Sequence, residues 1–440
     1  MKRRLVSFLT AGLISFAGFS QNIDKTKLDA YFDALSSNNR FMGSVAIAQG
    51  GRLIYSKSVG FADVGQGLKA SENSKYRIGS VTKTFTAVLT LKAVEENKLN
   101  LSQTIDKWFP TIGNADKITI EHMLYHRSGL HNHVDEFVNS NRHTQPITET
   151  EMIEVIIKGG NDFEPDTKMA YSNPNYILLT YILEKIYEKP FSKILKEKIT
   201  NPLGLKNTYL GEKINTQKGE CNSYTFLNNW ELAPELDISQ ALGAGAMTST
   251  PADLVTFINA LFSGKLISEN SFTKMKIIKD RFGMGLIQMP FDNKTGFGHT
   301  GGIDGFRSVF AYFPTGEISF AYTSNGMNFN GNDISIAVLS AAYNIPFEIP
   351  EFMTYELTAE DLDKYLGVYS SGQIPLKMTI TKSNNQLFAQ LTGQPSFPLE
   401  ATEKDKFQFL QAGVILEFNP TDKTVVLKQR GAVINFVRED

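Results

Sequence analysis

Hydrophobic and polar positions repeat along this chain with two periods, and the change of period divides it. Ile23, Leu28, Tyr31, Phe32 and Leu35 recur at helical spacing and predict an amphipathic helix. Two β-rich runs follow, Ser44–Ala48 and Arg52–Tyr55, flanking Gly50-Gly51, a pair that favours a two-residue hairpin turn. After Gly79-Ser80, the run through Phe85, Val88, Leu89, Leu91 and Val94 predicts a helix apolar enough to be buried. Residues 101–200 read as mostly helical, punctuated by Pro110, Gly129, Pro165 and Pro174. Gly243-Ala244-Gly245 approaches a helix start at Pro251 and reads as close backbone packing near a site. Ser308–Phe313 is strand-like. From Leu376 onward short alternating runs recur at Leu376–Ile380, Leu387–Leu391, Phe407–Phe409, Val414–Phe418, Val425–Leu427 and Val433–Phe436, predicting a small all-β barrel or sandwich.

Composition narrows the class without changing this layout. At 440 residues two domains are expected, and 42% apolar with 20% charged residues describes an ordinary globular protein. A formal charge of −2 with scattered Lys and Arg leaves no basic stripe, so nucleic acid is not an expected partner. Lys2, Arg3 and Arg4 precede an apolar run from Leu5 to Phe19, and Gly18-Phe19-Ser20 offers small residues for cleavage. Residues 1–20 therefore read as an export signal, and a periplasmic or extracellular location follows. That run is short for a membrane span, and no cysteine near the cleavage site offers a lipid anchor. The single cysteine, Cys221, excludes an internal disulfide.

Candidate chemistry begins at Ser80. If Ser80 opens a helix, Lys83 lies on the same face one turn on, where a desolvated amine can act as base toward a hydroxyl. A helix-capping serine is the competing reading, and Ser271-Phe272-Thr273-Lys274 is a second copy of the spacing. Tyr171-Ser172-Asn173 offers a phenol for proton exchange beside an amide able to hold a substrate carbonyl, or simply a turn with a packed tyrosine. His299-Thr300-Gly301-Gly302 has residues small enough for a strand edge to lie close to a ligand, whereas Lys294-Thr295-Gly296 just upstream reads as a hairpin turn. His122 and His126 have a spacing that suits zinc, but no glutamate follows His122 as the zinc-protease helix requires, so no metal is assigned.

Taken in order, Ser80-x-x-Lys83, Tyr171-x-Asn173 and His299-Thr300-Gly301 resemble the serine β-lactamase and penicillin-binding-protein superfamily. The resemblance covers residues 25–345 and is nearest the branch of class C β-lactamases, DD-peptidases, D-aminopeptidases and esterases. Tyr76–Ser80, Ile118–Leu130 and Gly298–Gly305 look like segments of the same family. The resemblance implies an α+β fold, with an antiparallel sheet flanked by helices plus an all-helical subdomain. The β-rich end resembles the lipocalin-like barrel appended to some family peptidases. The expected layout is a signal at 1–20, a hydrolase domain at 21–345, a linker at 346–358 and a β-barrel at 359–440. By the same resemblance Ser80 is the nucleophile and Lys83 and Tyr171 share its proton. The Ser80 and Gly302 N–H groups form the oxyanion hole, Asn173 holds the substrate amide, and His299, Thr300 and Gly301 line the strand beside it. Histidine where β-lactamases of this branch carry lysine points to D-amino-acid-containing peptides, with an ester, a β-lactam or a non-catalytic receptor role as alternatives. Asp166 stands where many relatives carry glycine. No cofactor is implied.

Overall fold

The computed structural model describes residues 23–134, 142–352, 355–429 and 431–439. The expected export signal lies outside the described residues.

The first helix, α1 (Lys25–Ser37), starts at Asp24, whose side chain accepts the Lys27 N–H at 2.9 Å, an N-cap interaction. Its apolar stripe, Leu28, Tyr31, Phe32 and Leu35, is buried. The hairpin of β1 (Phe41–Gln49) and β2 (Arg52–Val59) turns at Gly50-Gly51, with φ of 55° and 75°, values that glycine adopts without steric cost. After the short strand Tyr76–Arg77 comes the buried helix α2 (Thr82–Glu95). Helices α3 (Glu149–Gly159) and α4 (Pro174–Tyr187) belong to the helical region that surrounds it, and α5 (Pro251–Phe262) returns the chain to the sheet.

The main path of the sheet continues with β3 (Ile287–Phe291), β4 (Lys294–Ile303), β5 (Phe306–Phe313) and β6 (Ile318–Met327), before helix α6 (Gly331–Ala342), and the short strands Tyr224–Phe226 and Trp230–Leu232 attach beside β6. The antiparallel path runs β3-β4-β5-β6-β1-β2, so the first hairpin joins the last strands of the domain. Helices α1 and α6 cover one face, while α5 covers the other and shares its core with α2 and the helical region. The architecture is α+β, with helices on both faces of an antiparallel sheet.

The C-terminal strands β7 (Gly367–Ser370), β8 (Met378–Ser383), β9 (Gln386–Leu391), β10 (Phe397–Glu403), β11 (Lys406–Phe409), β12 (Val414–Asn419), β13 (Thr424–Gln429) and β14 (Ala432–Arg438) close into an antiparallel barrel. Tyr365, Tyr369, Met378, Phe407, Phe418 and Phe436 are buried in its core, as an eight-stranded barrel just wide enough for side chains allows. The six alternating runs correspond to six of these strands. Strands β7 and β10 fall outside those runs: β7 is only four residues long and begins at a glycine, and Pro398 interrupts β10. Arg40 and Glu400, 2.5 Å apart, join the barrel to the start of β1, and Phe347 and Phe352 pack against Tyr31 and Phe329.

Candidate active site

The site is assembled where β4 meets the turn that precedes α2. Gly79–Val81 forms one turn of 3-10 helix, and α2 begins at Thr82. Ser80 therefore lies just before the helix rather than opening it. The N-cap position is Val81 and has no side-chain capping bond, so the capping reading of Ser80 is corrected. The Ser80 hydroxyl faces two other groups instead. Lys83 Nζ is 3.0 Å from Ser80 Oγ, and the Tyr171 hydroxyl donates to the same oxygen at 2.7 Å.

Glycine lets the strand come this close. Gly79 has φ of 49°, and a side chain there would place a Cβ 2.7 Å from the Gly302 nitrogen. At Gly301 a Cβ would lie 2.1 Å from the Ile78 carbonyl oxygen. The backbone of Gly302 thus runs alongside the Ser80 turn, and only residues without a Cβ permit it.

Lys83 is fully buried, and burial holds its pKa well below the ordinary lysine value. Besides Ser80 its amine meets Asn173 Oδ1 at 2.8 Å and the Ala244 carbonyl at 2.6 Å. Both of those partners can only accept. When the amine is deprotonated, it keeps two N–H groups for them and turns its one lone pair to the Ser80 hydroxyl. In that state the amine is placed to accept the hydroxyl proton. Asn173 is oriented in turn by Asn132, whose Oδ1 accepts from the Asn173 N–H at 3.0 Å and from its Nδ2 at 3.1 Å.

Tyr171 is held by ring packing. His126 stacks on it with centroids 4.3 Å apart, and Phe282 lies 5.6 Å away. His126 has φ of 56° and accepts the Ser172 N–H at Nδ1, which ties its ring to the Tyr171 loop. Burial raises the Tyr171 pKa above the ordinary tyrosine value, against a smaller lowering from the Ser80 hydrogen bond. The phenol is therefore a proton donor at neutral pH. Asp166, in the same loop, has φ of 65°, which explains why glycine suits that position, and its carboxylate accepts from Arg127 Nε at 2.6 Å.

His299 is buried on β4 and its pKa is pushed down to about 4, first by burial and then by Lys83. Its Nδ1 lies 2.6 Å from the Thr300 carbonyl, which fixes the neutral ring with the proton on Nδ1 and leaves Nε2 buried without a hydrogen-bond partner among the described residues. Thr300 and Gly302 are exposed to the cleft, which holds about 410 Å³ and is lined by Ser80, Tyr171 and His299 with Arg281 and Phe282 on its far side. Lys294-Thr295-Gly296 begins β4 rather than forming the hairpin turn, which falls at Asp292-Asn293, and Lys294 pairs with Asp292 at 3.0 Å instead of lining the cleft. Ser271 lies in the helix Glu269–Lys276 and meets Ser268. His122 accepts the Thr119 N–H as part of a helix cap, so it and the stacked His126 have other roles than zinc ligation. Burial pushes the Cys221 thiol up to about 12.

The His299 shift carries a stability prediction. Between its folded value of about 4 and the unfolded value near 6.5, the unfolded chain binds the extra proton, so stability falls as pH drops through that window. The slope from this group is at most about 1.4 kcal/mol per pH unit. Denaturation of His299→Gln between pH 4 and 7 is expected to show a shallower acid loss than wild type.

A hydroxyl between a buried amine and a phenol, beside a glycine strand edge, is a constellation that suits a serine hydrolase. Comparison with known proteins agrees. The Beta-lactamase family description matches residues 28–344, and the chain belongs to this family. Penicillin-binding protein 4* of Bacillus subtilis is 24% identical over 93% of this chain and 98% of its own length. The teichoic acid D-alanine hydrolase of Staphylococcus aureus is 28% identical over 55% of this chain and 58% of its own length. The crystal structure of the D-amino acid amidase of Ochrobactrum anthropi SV3 with L-phenylalanine amide superposes with a TM-score of 0.65 at 26% identity, covering 72% of this chain and 99% of that one.

Proposed function

We propose that this serine hydrolase cleaves amide or ester bonds in D-amino-acid-containing substrates, in the manner of a DD-carboxypeptidase or D-aminopeptidase, outside the cytoplasm. The observation that carries the reading is the Lys83 amine, buried without a carboxylate partner among the described residues and 3.0 Å from Ser80 Oγ. Lys83 takes the hydroxyl proton as Ser80 attacks the carbonyl carbon, and the oxyanion forms against the N–H groups of Ser80 and Gly302. Tyr171 protonates the leaving amine or alcohol, and water then releases the acyl group from Ser80. The neutral His299 presents a lone pair rather than a charge to the cleft, so it can accept a hydrogen bond. Support for a D-amino-acid substrate comes from the relatives, a teichoic acid D-alanine hydrolase and a D-amino acid amidase. Support for export comes from the basic, then apolar, first 20 residues.

The test is a panel of matched D- and L-aminoacyl anilides, an acyl-D-alanyl-D-alanine peptide, a short acyl ester and a chromogenic cephalosporin. Faster turnover of the D-configured amides or peptide is expected. Equal rates on D and L partners, or a preference for the cephalosporin, would overturn the assignment.

A further inference from the structure

The cleft does not end at the nucleophile. A second groove of about 520 Å³ opens from it on the side of the sheet that α6 covers, and the two share Thr300, Gly301 and Gly302. Its size falls in the range of small-molecule sites, about 300–1,000 Å³. It exists because β4 presents little side-chain bulk there. A Cβ on Gly302 would meet only the Arg307 side chain, at 3.6 Å, and the Phe313 ring packs so closely on Gly296 that a Cβ there would lie 2.6 Å from it. Met289 and Phe291 form one wall, and Ile336 and Leu339 of α6 the other. Ile336 is 44% exposed although apolar, which leaves an uncovered hydrophobic lip at the groove mouth.

One cation stands at this junction. Arg307 pairs across the ladder with Gly302, and its Nη1 would lie 3.6 Å from a Cβ on that glycine. The guanidinium donates to the carbonyl oxygens of Asp304 at 3.4 Å and Phe306 at 2.7 Å. No carboxylate forms an ion pair with it among the described residues. A guanidinium without an acidic partner, beside a strand that lines the catalytic cleft and above an apolar groove, is complementary to a group that is apolar and anionic at once.

We infer that this groove is a substrate subsite, which takes an apolar side chain or alkyl chain whose free carboxylate meets Arg307. The inference rests on the hydrolase reading and sharpens it. Favoured substrates carry, on one side of the scissile bond, a bulky apolar residue ending in a carboxylate.

Direct binding separates this claim from turnover. Calorimetric titration of the full-length protein with butanoate, hexanoate and octanoate is expected to show affinity rising with length. Each buried methylene contributes about 0.8 kcal/mol, close to a fourfold change in Kd. Arg307→Gln is expected to weaken all three acids by about tenfold while keeping the length dependence. Ile336→Trp, which fills the groove from its exposed wall, is expected to abolish the length dependence, with thermal melts confirming that both variants are folded. Length-independent affinity in wild type, or a length dependence that survives Ile336→Trp, would overturn the subsite. Failure of the hydrolase reading would appear separately, as absence of turnover on the D-amide panel with carboxylate binding intact.

Discussion

Ser80→Ala is expected to reduce kcat by about 10⁶-fold, the loss recorded when a serine hydrolase is deprived of its nucleophile. KM for the same substrate should change little, because Asn173, Thr300 and the Gly302 backbone remain. The folded state should barely respond. Ser80 is half-buried, and Lys83 keeps its bonds to Asn173 and Ala244 when the hydroxyl is gone. A fluorophosphonate label should attach to wild type at Ser80 and leave the variant unmodified, as read by peptide mass. Substantial turnover or labelling in the variant would move the nucleophile elsewhere and remove the basis of the mechanism. Residual catalysis about 10³–10⁴-fold above water would be compatible with it, since backbone donors and binding act without the nucleophile.

The parts of this site that could be read from the chain are those whose chemistry is local. Ser80 and Lys83 are three residues apart, so near-helical geometry alone brings amine to hydroxyl. Tyr171 and His299 are distant in sequence and became readable through short motifs in a fixed order. What stayed hidden works through backbone shape. The Ala244 carbonyl receives a Lys83 N–H because the short helix Leu242–Gly245 carries it there, and any residue would supply the same oxygen. Asn132 orients Asn173 from another loop, and the left-handed backbone of His126 lets its ring stack on Tyr171. Neither residue type announces such a role. The Ser80 capping reading failed for a related reason. A 3-10 turn moves the start of α2 two residues downstream, leaving the serine outside the helix with its hydroxyl turned to Lys83 and Tyr171 instead of a cap. Alternation found six of the eight barrel strands and missed the four-residue β7 and the β10 strand that Pro398 interrupts, so barrel closure was legible as a class and not strand by strand.

Lys83→Met is the second large effect, and it acts on rate and stability in opposite ways. Loss of a positioned base lowers kcat/KM by about 10²–10⁴-fold. The acid limb of the pH–rate profile should go with it, because that limb reports protonation of an amine whose pKa burial holds well below the ordinary value. On the stability side, the unfolded lysine binds its proton at higher pH than the folded one. Between the depressed folded pKa and the unfolded value near 10.4, the wild type therefore gains stability as pH rises. Below the folded pKa the penalty of charging a buried amine is fully present. Methionine has no such group, so the stability of the variant relative to wild type should be greatest in acid and decline toward alkaline pH. Against this, the variant leaves Asn173 Oδ1 and the Ala244 oxygen without their donor, at about 1–3 kcal/mol each if water does not reach them. That cost is the same at every pH, so it shifts the whole difference curve without changing its slope. Thermal melts of both proteins from pH 5 to 10 separate the two contributions. A flat difference curve, or a variant that keeps more than a tenth of wild-type activity with its acid limb intact, would show that Lys83 is not the base.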